Sequence, residues 1–324
     1  MRILAHAAAA LLLAAGLTPA HAADDYPAAY PIHWVVPYAA GGGSDIVARN
    51  LQEGMSKVLS QTIIIDNKPG AATAIGAEYV AHAKPDGYTI LSGDTATLAA
   101  NPPLYPRLAY DPQRDFAPVG LMARFNMILV VNPSVPAHGM KEFMAWARAQ
   151  KDGVSYGTPG AGSPHHLATE LFRARTGLNL KHVPYRGAAP AVQDVMSGQV
   201  PMMFVDSASG QQYIASGKLR ALAVASKDRL PGMPDVPTLI ESGLPDFEAY
   251  AWQGLVVPKG TPQPVIDKLN AALNETLKSP TVIEKFKAMG LEVIPSTPRA
   301  LDDYARAERA KWTQVIQDAH ITIE

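Results

Sequence analysis

Apolar and polar positions along this chain alternate between two rhythms: short β-branched runs, and longer stretches with apolar residues three and four apart. Ile32-His33-Trp34-Val35-Val36 belongs to the first kind. Val47, Leu51, Met55, Val58 and Leu59 belong to the second and predict a helix. Thr62 to Asp66 reads as a strand ended by the turn Asn67-Lys68-Pro69-Gly70, followed by a helix over Ala74 to Ala83 and a strand over Tyr88 to Ser92. A second set begins with the apolar run Asn126 to Val131. It continues as helix Met140 to Gln150, strand Val154 to Tyr156, helix His165 to Thr176 and strand His182 to Pro184. Helix Pro190 to Ser197, strand Val200 to Val205, helix Gln211 to Ser216 and strand Ala221 to Ala225 complete it. A Pro-rich loop, Leu230 to Pro245, precedes another strand, Trp252 to Val257, and three helical segments close the chain.

Strand and helix in alternation predict an α/β architecture on parallel sheets. The apolar runs Asn126 to Val131 and Trp252 to Val257 are read as places where the chain crosses between two lobes. Lobe one is then residues 23–125 plus 253–324, and lobe two is 126–252. Two crossings make a hinge suited to closing on a ligand.

The extreme N-terminus changes the picture of where the protein works. Arg2, the Ala/Leu-rich run Ile3 to Leu17, the breaker Pro19 and the small-x-small site Ala20-His21-Ala22 predict a cleaved signal peptide over residues 1–22, with export to the periplasm. The run is too short for a membrane-spanning helix. There is no cysteine, which removes disulfides, thiolate metal sites and a cysteine nucleophile. With 28 Lys and Arg against 29 Asp and Glu and no basic run, nucleic acid and anionic membrane surfaces are not expected partners.

Candidate chemistry concentrates in two loops, each set between a strand and a helix. In Pro37-Tyr38-Ala39-Ala40-Gly41-Gly42-Gly43-Ser44-Asp45, the glycines allow a tight turn and close approach to main-chain N–H groups. The helix start that follows has unpaired N–H groups and the positive end of the dipole, so it suits an anion. Ser44 is placed to cap that helix or to donate its hydroxyl. The second loop, Tyr156-Gly157-Thr158-Pro159-Gly160-Ala161-Gly162-Ser163-Pro164-His165, repeats the arrangement, with Ser163 as N-cap and Pro164 in the first turn. Ser-Pro alone is helix punctuation, since Ser279-Pro280 has it too; Gly160, Gly162 and the preceding strand set this copy apart. His165 is in position to donate to the same anion, and Thr95, just past a strand end, joins the candidate contacts.

Tyr185 and Arg186 sit at a further strand end. Arg186 is placed either to clamp a carboxylate bidentately or to pair with Asp194. Asp206 ends another strand and is open to two readings, acceptor for a ligand amino or hydroxyl group, or helix cap. No dinucleotide fingerprint, P-loop lysine or Gly-x-Ser-x-Gly elbow occurs, so no cofactor is expected. His165 and His166 are adjacent, which is poor spacing for a metal, and none is expected. No base and orienting acid accompany Ser44 or Ser163 at recognisable spacing, so catalysis is not expected either.

At these motifs the chain resembles the periplasmic solute receptors of tripartite tricarboxylate transporters, the Bug or TctC family. The similarity is carried by Pro37-Tyr38-x-x-Gly41-Gly42-Gly43-Ser44-Asp45-Ile46-Val47-Ala48-Arg49, Asp66-Asn67-Lys68-Pro69-Gly70-Ala71, Asn101-Pro102-x-Leu104-Tyr105 and His182-Val183-Pro184-Tyr185-Arg186-Gly187. Asp115-Phe116-x-Pro118-Val119, Gly198-Gln199-Val200, Val236-Pro237-Thr238 and Trp252-x-Gly254-Leu255 extend it over the mature chain. The resemblance implies a type II-like bilobed binding-protein fold, a monomer, and a small carboxylate gripped between lobes and delivered to membrane permease subunits. It places Tyr38 to Asp45 (Ala40 included) and Gly160 to His165 at the ligand. Two departures stand out. Relatives often read Phe-Pro-Pro at Tyr38-Ala39-Ala40, and Gly-Ala-Gly-Gly-Asn at Gly70-Ala71-Ala72-Thr73-Ala74. Presentation of the same receptor to a sensor kinase, and hydrolysis using Ser44 or Ser163, are the alternative functions.

Overall fold

Every apolar run read above from residue 32 onward overlaps an element of the computed structural model, which describes residues 26–318 and 320–322. The expected signal peptide lies outside the described residues. Strands β1 (Ile32–Val36), β2 (Ile63–Asn67) and β3 (Thr89–Asp94) pair in parallel, joined by helices α1 (Gly43–Leu59) and α2 (Ala74–Ala81). After β3 a π-helical turn, Ala96–Ala100, runs into the short helices α3 (Asn101–Leu104) and α4 (Pro112–Asp115), neither of which has a periodic signature in the sequence. Strand β4 (Phe116–Val131) then leads to α5 (Met140–Ala149), β5 (Val154–Thr158), α6 (Pro164–Thr176), β6 (Leu180–Pro184) and α7 (Ala188–Ser197). Next come β7 (Met202–Asp206), α8 (Ser207–Ala215) and β8 (Arg220–Val224). The chain ends with β9 (Tyr250–Pro258), α9 (Gln263–Leu277), α10 (Pro280–Ala288), β10 (Leu291–Val293) and α11 (Pro298–Asp318).

The strand order is β2-β1-β3-β9-β4-β7-β5-β6, with β8 and β10 also pairing to β4. The expected parallel pairing holds for β1 with β2 and β3, and for β5 with β6 and β7, but the sheets are mixed. Every pairing of β4 and β9 is antiparallel. A chain that leaves one half along one strand and returns beside it has to run the two in opposite senses. β4 also begins ten residues before the apolar run that announced it. Pro118, Gly120 and Arg124 interrupt the apolar pattern there, and the pairing shifts register between Pro118 and Gly120 and between Leu121 and Ala123, where proline and glycine in strands are tolerated.

Partners change along β4. Phe116 to Asn126 pairs with β9, and Met127 to Val131 pairs with β7 and β8. The run Trp252 to Val257 pairs only with β3 and the first part of β4. The return from the second half comes just before it, where the Ala249 N–H still donates to the Ala225 carbonyl at 3.0 Å. Helix α9 packs on α1 with Gly54 at the closest approach; a Cβ there would lie 2.5 Å from Thr276 Cγ2. The C-terminal helices therefore complete the core of the first half, where Val47, Leu51 and Met55 share a cluster with Ile266, Leu269 and Leu273.

The turn before α2 runs through left-handed backbone without glycine at three successive positions, Ala71 (φ 46°), Ala72 (φ 48°) and Thr73 (φ 76°). It is held from the far side: Asn101 Nδ2 donates to the Ala72 carbonyl at 2.7 Å, and Thr97 Oγ1 to Thr73 Oγ1 at 2.9 Å. Left-handed backbone costs a residue with a Cβ roughly 1–2 kcal/mol. Glycine would relieve that, against about 0.5–1 kcal/mol of added unfolded-state entropy. We therefore expect Ala72→Gly to be neutral or stabilising by up to about 1 kcal/mol in urea unfolding. Ala271→Gly, on the exposed face of α9, should lose about 1 kcal/mol. Equal losses in both variants would mean that the turn is not left-handed.

Candidate functional site

Strand β1 in the first half and β5, β6 and β7 in the second each lead into a helix, and because β1 runs opposite to the other three, the four helix starts face one another between the halves. Gly43 of α1, Pro164 of α6, Ala188 of α7 and Asp206, the N-cap of α8, all line one cavity. About 430 Å³ of non-atom space lies within it, open solvent at its mouth included. From the first half, Tyr38, Gly42, Ser44, Asp94, Phe125 and Gln253 contribute; Pro159 and His165 face them from the second. Ligand sites of open α/β sheets lie at strand carboxyl ends, and this cavity follows that rule.

The α1 start offers the open donors. Gly42 is the N-cap and makes no side-chain cap. The N–H groups of Gly42, Gly43 and Ser44 donate to no protein group among the described residues. Asp45 does not line the cavity. Its carboxylate turns back into the loop, accepting from the Gly41 N–H at 2.9 Å, Arg49 Nε at 2.8 Å and Asn67 Nδ2 at 3.0 Å. Burial pushes its pKa up, but these hydrogen bonds outweigh burial and hold it below the usual carboxylate value. Ser44 neither caps the helix nor stands free, because its hydroxyl accepts from Gln253 Nε2. Ala40 is exposed on the loop, away from the cavity lining.

The α6 start is built alike but spends most of its donors, leaving the His165 N–H open among the described residues. Ser163 Oγ accepts from the His166 N–H at 3.3 Å, the Gly162 N–H donates to His166 Nδ1 at 3.1 Å, and Pro164 has none to give. Gly160, Gly162 and Ser163 lie behind the lining rather than in it. Gly162 instead faces the other half of the molecule: a Cβ would come within 3.3 Å of Asn101 Oδ1. Beside it, Tyr105 Oη donates to the Ala161 carbonyl at 3.4 Å. His165 does reach the cavity, with Nε2 3.1 Å from Asp206 Oδ2 and Nδ1 buried without a partner.

Other sequence candidates separate in the same way. Asp206 is the helix cap, with Oδ1 accepting from the Ser209 N–H at 2.9 Å, and its carboxylate also lines the cavity. Burial raises its pKa, yet His165 and Ser209 more than compensate and lower it. Tyr185 takes the partner proposed for Arg186, donating to Asp194 Oδ2 at 2.6 Å. Arg186 is exposed and makes no ion pair among the described residues. Thr95 ties strands together, its Oγ1 accepting from the Trp252 N–H at 3.1 Å.

Sequence reading passed over Asp94, Gln253, Phe125, Trp252 and Ala188. Asp94 closes β3 two residues beyond the expected strand end, and the rule that strand ends carry ligand groups would have marked it. Its carboxylate accepts from Tyr38 Oη at 2.6 Å, the Thr97 N–H at 2.8 Å and Thr97 Oγ1 at 2.7 Å. Burial still carries its pKa above the ordinary value. Burial, then the neighbouring Asp94, push the Tyr38 phenol well up. Gln253 is a lone amide in an apolar strand, and a buried amide has to find partners; its Oε1 has none.

Comparison with known proteins places this architecture. A family model described as the tripartite tricarboxylate transporter family receptor, TctC, matches residues 47–321. A Pseudomonas sp. (strain P51) protein encoded in the tcbD-tcbE intergenic region is 39% identical, over 95% of this chain and 91% of that protein. BugT of Bordetella pertussis is 36% identical, over 94% and 93%. Among solved structures, R. palustris Rpa4515 with adipate has a TM-score of 0.89 at 33% identity, covering 92% of this chain and 99% of that one. MatC from Rhodopseudomonas palustris with bound malate has 0.85 at 34%, covering 89% and 99%. A TctC solute-binding protein from Polaromonas with no ligand has 0.66 at 32%, covering 90% and 99%.

Beneath the second loop the rings of His166 and His182 stack with centroids 4.2 Å apart, and Tyr156 stacks on His182 at 5.1 Å. Burial lowers both histidines to about 4 from an ordinary value of 6.5. The unfolded chain then takes up protons first as pH falls, so this contribution is complete above 6.5 and is lost toward 4. Thermal melts should show Tm declining across that window, and His166→Asn, which keeps an acceptor for Gly162, should decline less steeply. A wild-type Tm that stays level there would contradict the buried neutral pair. Ser163→Ala should cost about 1 kcal/mol of stability as a lost cap, measured by urea unfolding.

Proposed function

The chain belongs to the tripartite tricarboxylate transporter receptor family, and from that premise we propose that it closes two lobes around a small carboxylate and delivers it to a membrane permease. The family is one of periplasmic solute-binding receptors, and no helix among the described residues is long and apolar enough to cross a membrane. Export would be followed by removal of the signal peptide, leaving a mature chain that begins near Ala23.

One observation carries the carboxylate reading: the unpaired N–H groups of Gly42, Gly43 and Ser44 at the start of a 17-residue helix, beside a cavity. These are fixed donors at a positive helix end, and a carboxylate is the simplest group that satisfies two of them. Micromolar affinity requires about −8 kcal/mol. Hydrogen bonds to a charged group contribute roughly 1.5–3 kcal/mol each, and the helix end up to about 2 kcal/mol when partly buried. Three such donors reach that total only if closure keeps water out.

Closure is supported by where glycine stands between the halves. Gly42 faces Ala188, Gly187 faces Ala39, and Gly43 faces Asp206 and Phe125. We place the lobes at residues 23–125 plus 253–324 and 126–252. The change of partners along β4 at Asn126 and Met127 supports the first boundary. The second would fall slightly earlier, near Ala249. At similar identity, the chain is nearer in shape to the relatives with adipate and malate than to the one with no ligand, which favours a closed arrangement here.

A panel of mono- and dicarboxylates, tested by thermal shift and calorimetry, should yield at least one ligand; at a hundredfold excess over Kd it adds about 2.7 kcal/mol of stability. In Gly43→Ala the new Cβ would lie 2.5 Å from Asp206 Oδ1 in the closed arrangement. That variant should bind at least about tenfold more weakly, about 1.4 kcal/mol, with little change in ligand-free Tm. Stabilisation by neutral sugars or cations and by no carboxylate would overturn the proposal.

A further inference from the structure

Two buried carboxylates face the same cavity from opposite halves, and no lysine or arginine lines it to answer them. Asp94 and Asp206 are 4% and 3% exposed. Each ends a strand, β3 in the first half and β7 in the second. A carboxylate has about four lone-pair sites. Asp94 uses three, on Tyr38 and Thr97, and Asp206 uses two, on Ser209 and His165. Both therefore keep acceptor capacity, and neither is paired with a permanent cation. Buried charges in proteins are ordinarily paired, so a partner is expected from the ligand.

The donors at the α1 start suit the ligand carboxylate. A second carboxylate at the other end would have to face both acids. A positive group would be attracted to both acids, and Tyr38 and Phe125 bring aromatic side chains to the same lining. We infer that the ligand carries a cationic nitrogen as well as its carboxylate, received by Asp94 and Asp206, which makes amino acids and related amine-bearing carboxylates the substrate class. This inference rests on the carboxylate reading of the α1 start. It assigns Asp94 and Asp206 as the residues that select for the nitrogen.

Calorimetry on the mature wild-type protein with matched ligands tests it without any variant: aspartate against succinate, glutamate against glutarate, leucine against 4-methylpentanoate, and 6-aminohexanoate against hexanoate and adipate. At least one amine-bearing ligand should bind about tenfold or more tightly than its nitrogen-free match, since like charges within a few ångströms repel and opposite ones attract. Asp94→Asn and Asp206→Asn keep cap and hydrogen-bonding shape; each should reduce that preference about tenfold, with nitrogen-free ligands unaffected or improved. If nitrogen-free carboxylates bind as tightly as every amine-bearing partner, or if both variants retain the preference, the inference falls and the carboxylate receptor stands. If no carboxylate of either kind binds, both fall.

Discussion

A helix cannot satisfy its own first N–H groups, and at Gly42, Gly43 and Ser44 nothing else in the protein satisfies them. Most of the neighbouring structure serves to keep that end rigid and open. Asp45 gathers Gly41, Arg49 and Asn67, and Asn67 also reaches the Tyr38 carbonyl at 3.0 Å, so the loop is tied to β2 without using the helix donors. Glycine at the N-cap removes the side chain that would otherwise close the site from within. The α6 start shows the contrast: with Ser163 and His166 in the corresponding places, the same kind of loop consumes most of its own donors.

Charge around the cavity is balanced by placement rather than by counter-ions. Helix ends supply partial positive charge from α1, α6, α7 and α8. Asp206 sits on one of these ends and beside His165, which explains why its pKa falls despite burial. Asp94 has neutral donors only, and its pKa rises. Two acids of similar exposure thus differ because one faces an imidazole and the other a phenol.

The antiparallel pair β4 and β9 joins the halves, and it is the most extensively paired part of the sheet. Register shifts in β4 at Pro118/Gly120 and Leu121/Ala123 lie on the first-half side, and the partner change follows at Asn126. Where the halves touch, glycine recurs at Gly42, Gly43, Gly162 and Gly187. A Cβ at Gly43 would clash with Asp206, and those at Gly162 and Gly187 would be tight, so these small residues act at the interface as well as in the turns.

Alternating periodicity was sufficient to read the α/β class, nearly every long element and the family resemblance, because strand and helix patterns are local. The α1 start was legible for the same reason: a strand, three glycines and a helix lie within a dozen residues. Local reading failed where partners are distant. Asp94 and Gln253 lie 159 positions apart, and only the pairing of β3 with β9, in which Asp94 and Gln253 are register partners, brings them to one wall. The sequence by itself determined that the α1 start carries glycine in place of a capping side chain. Which acids face it was decided by tertiary structure, since that depends on how two halves meet across a cavity.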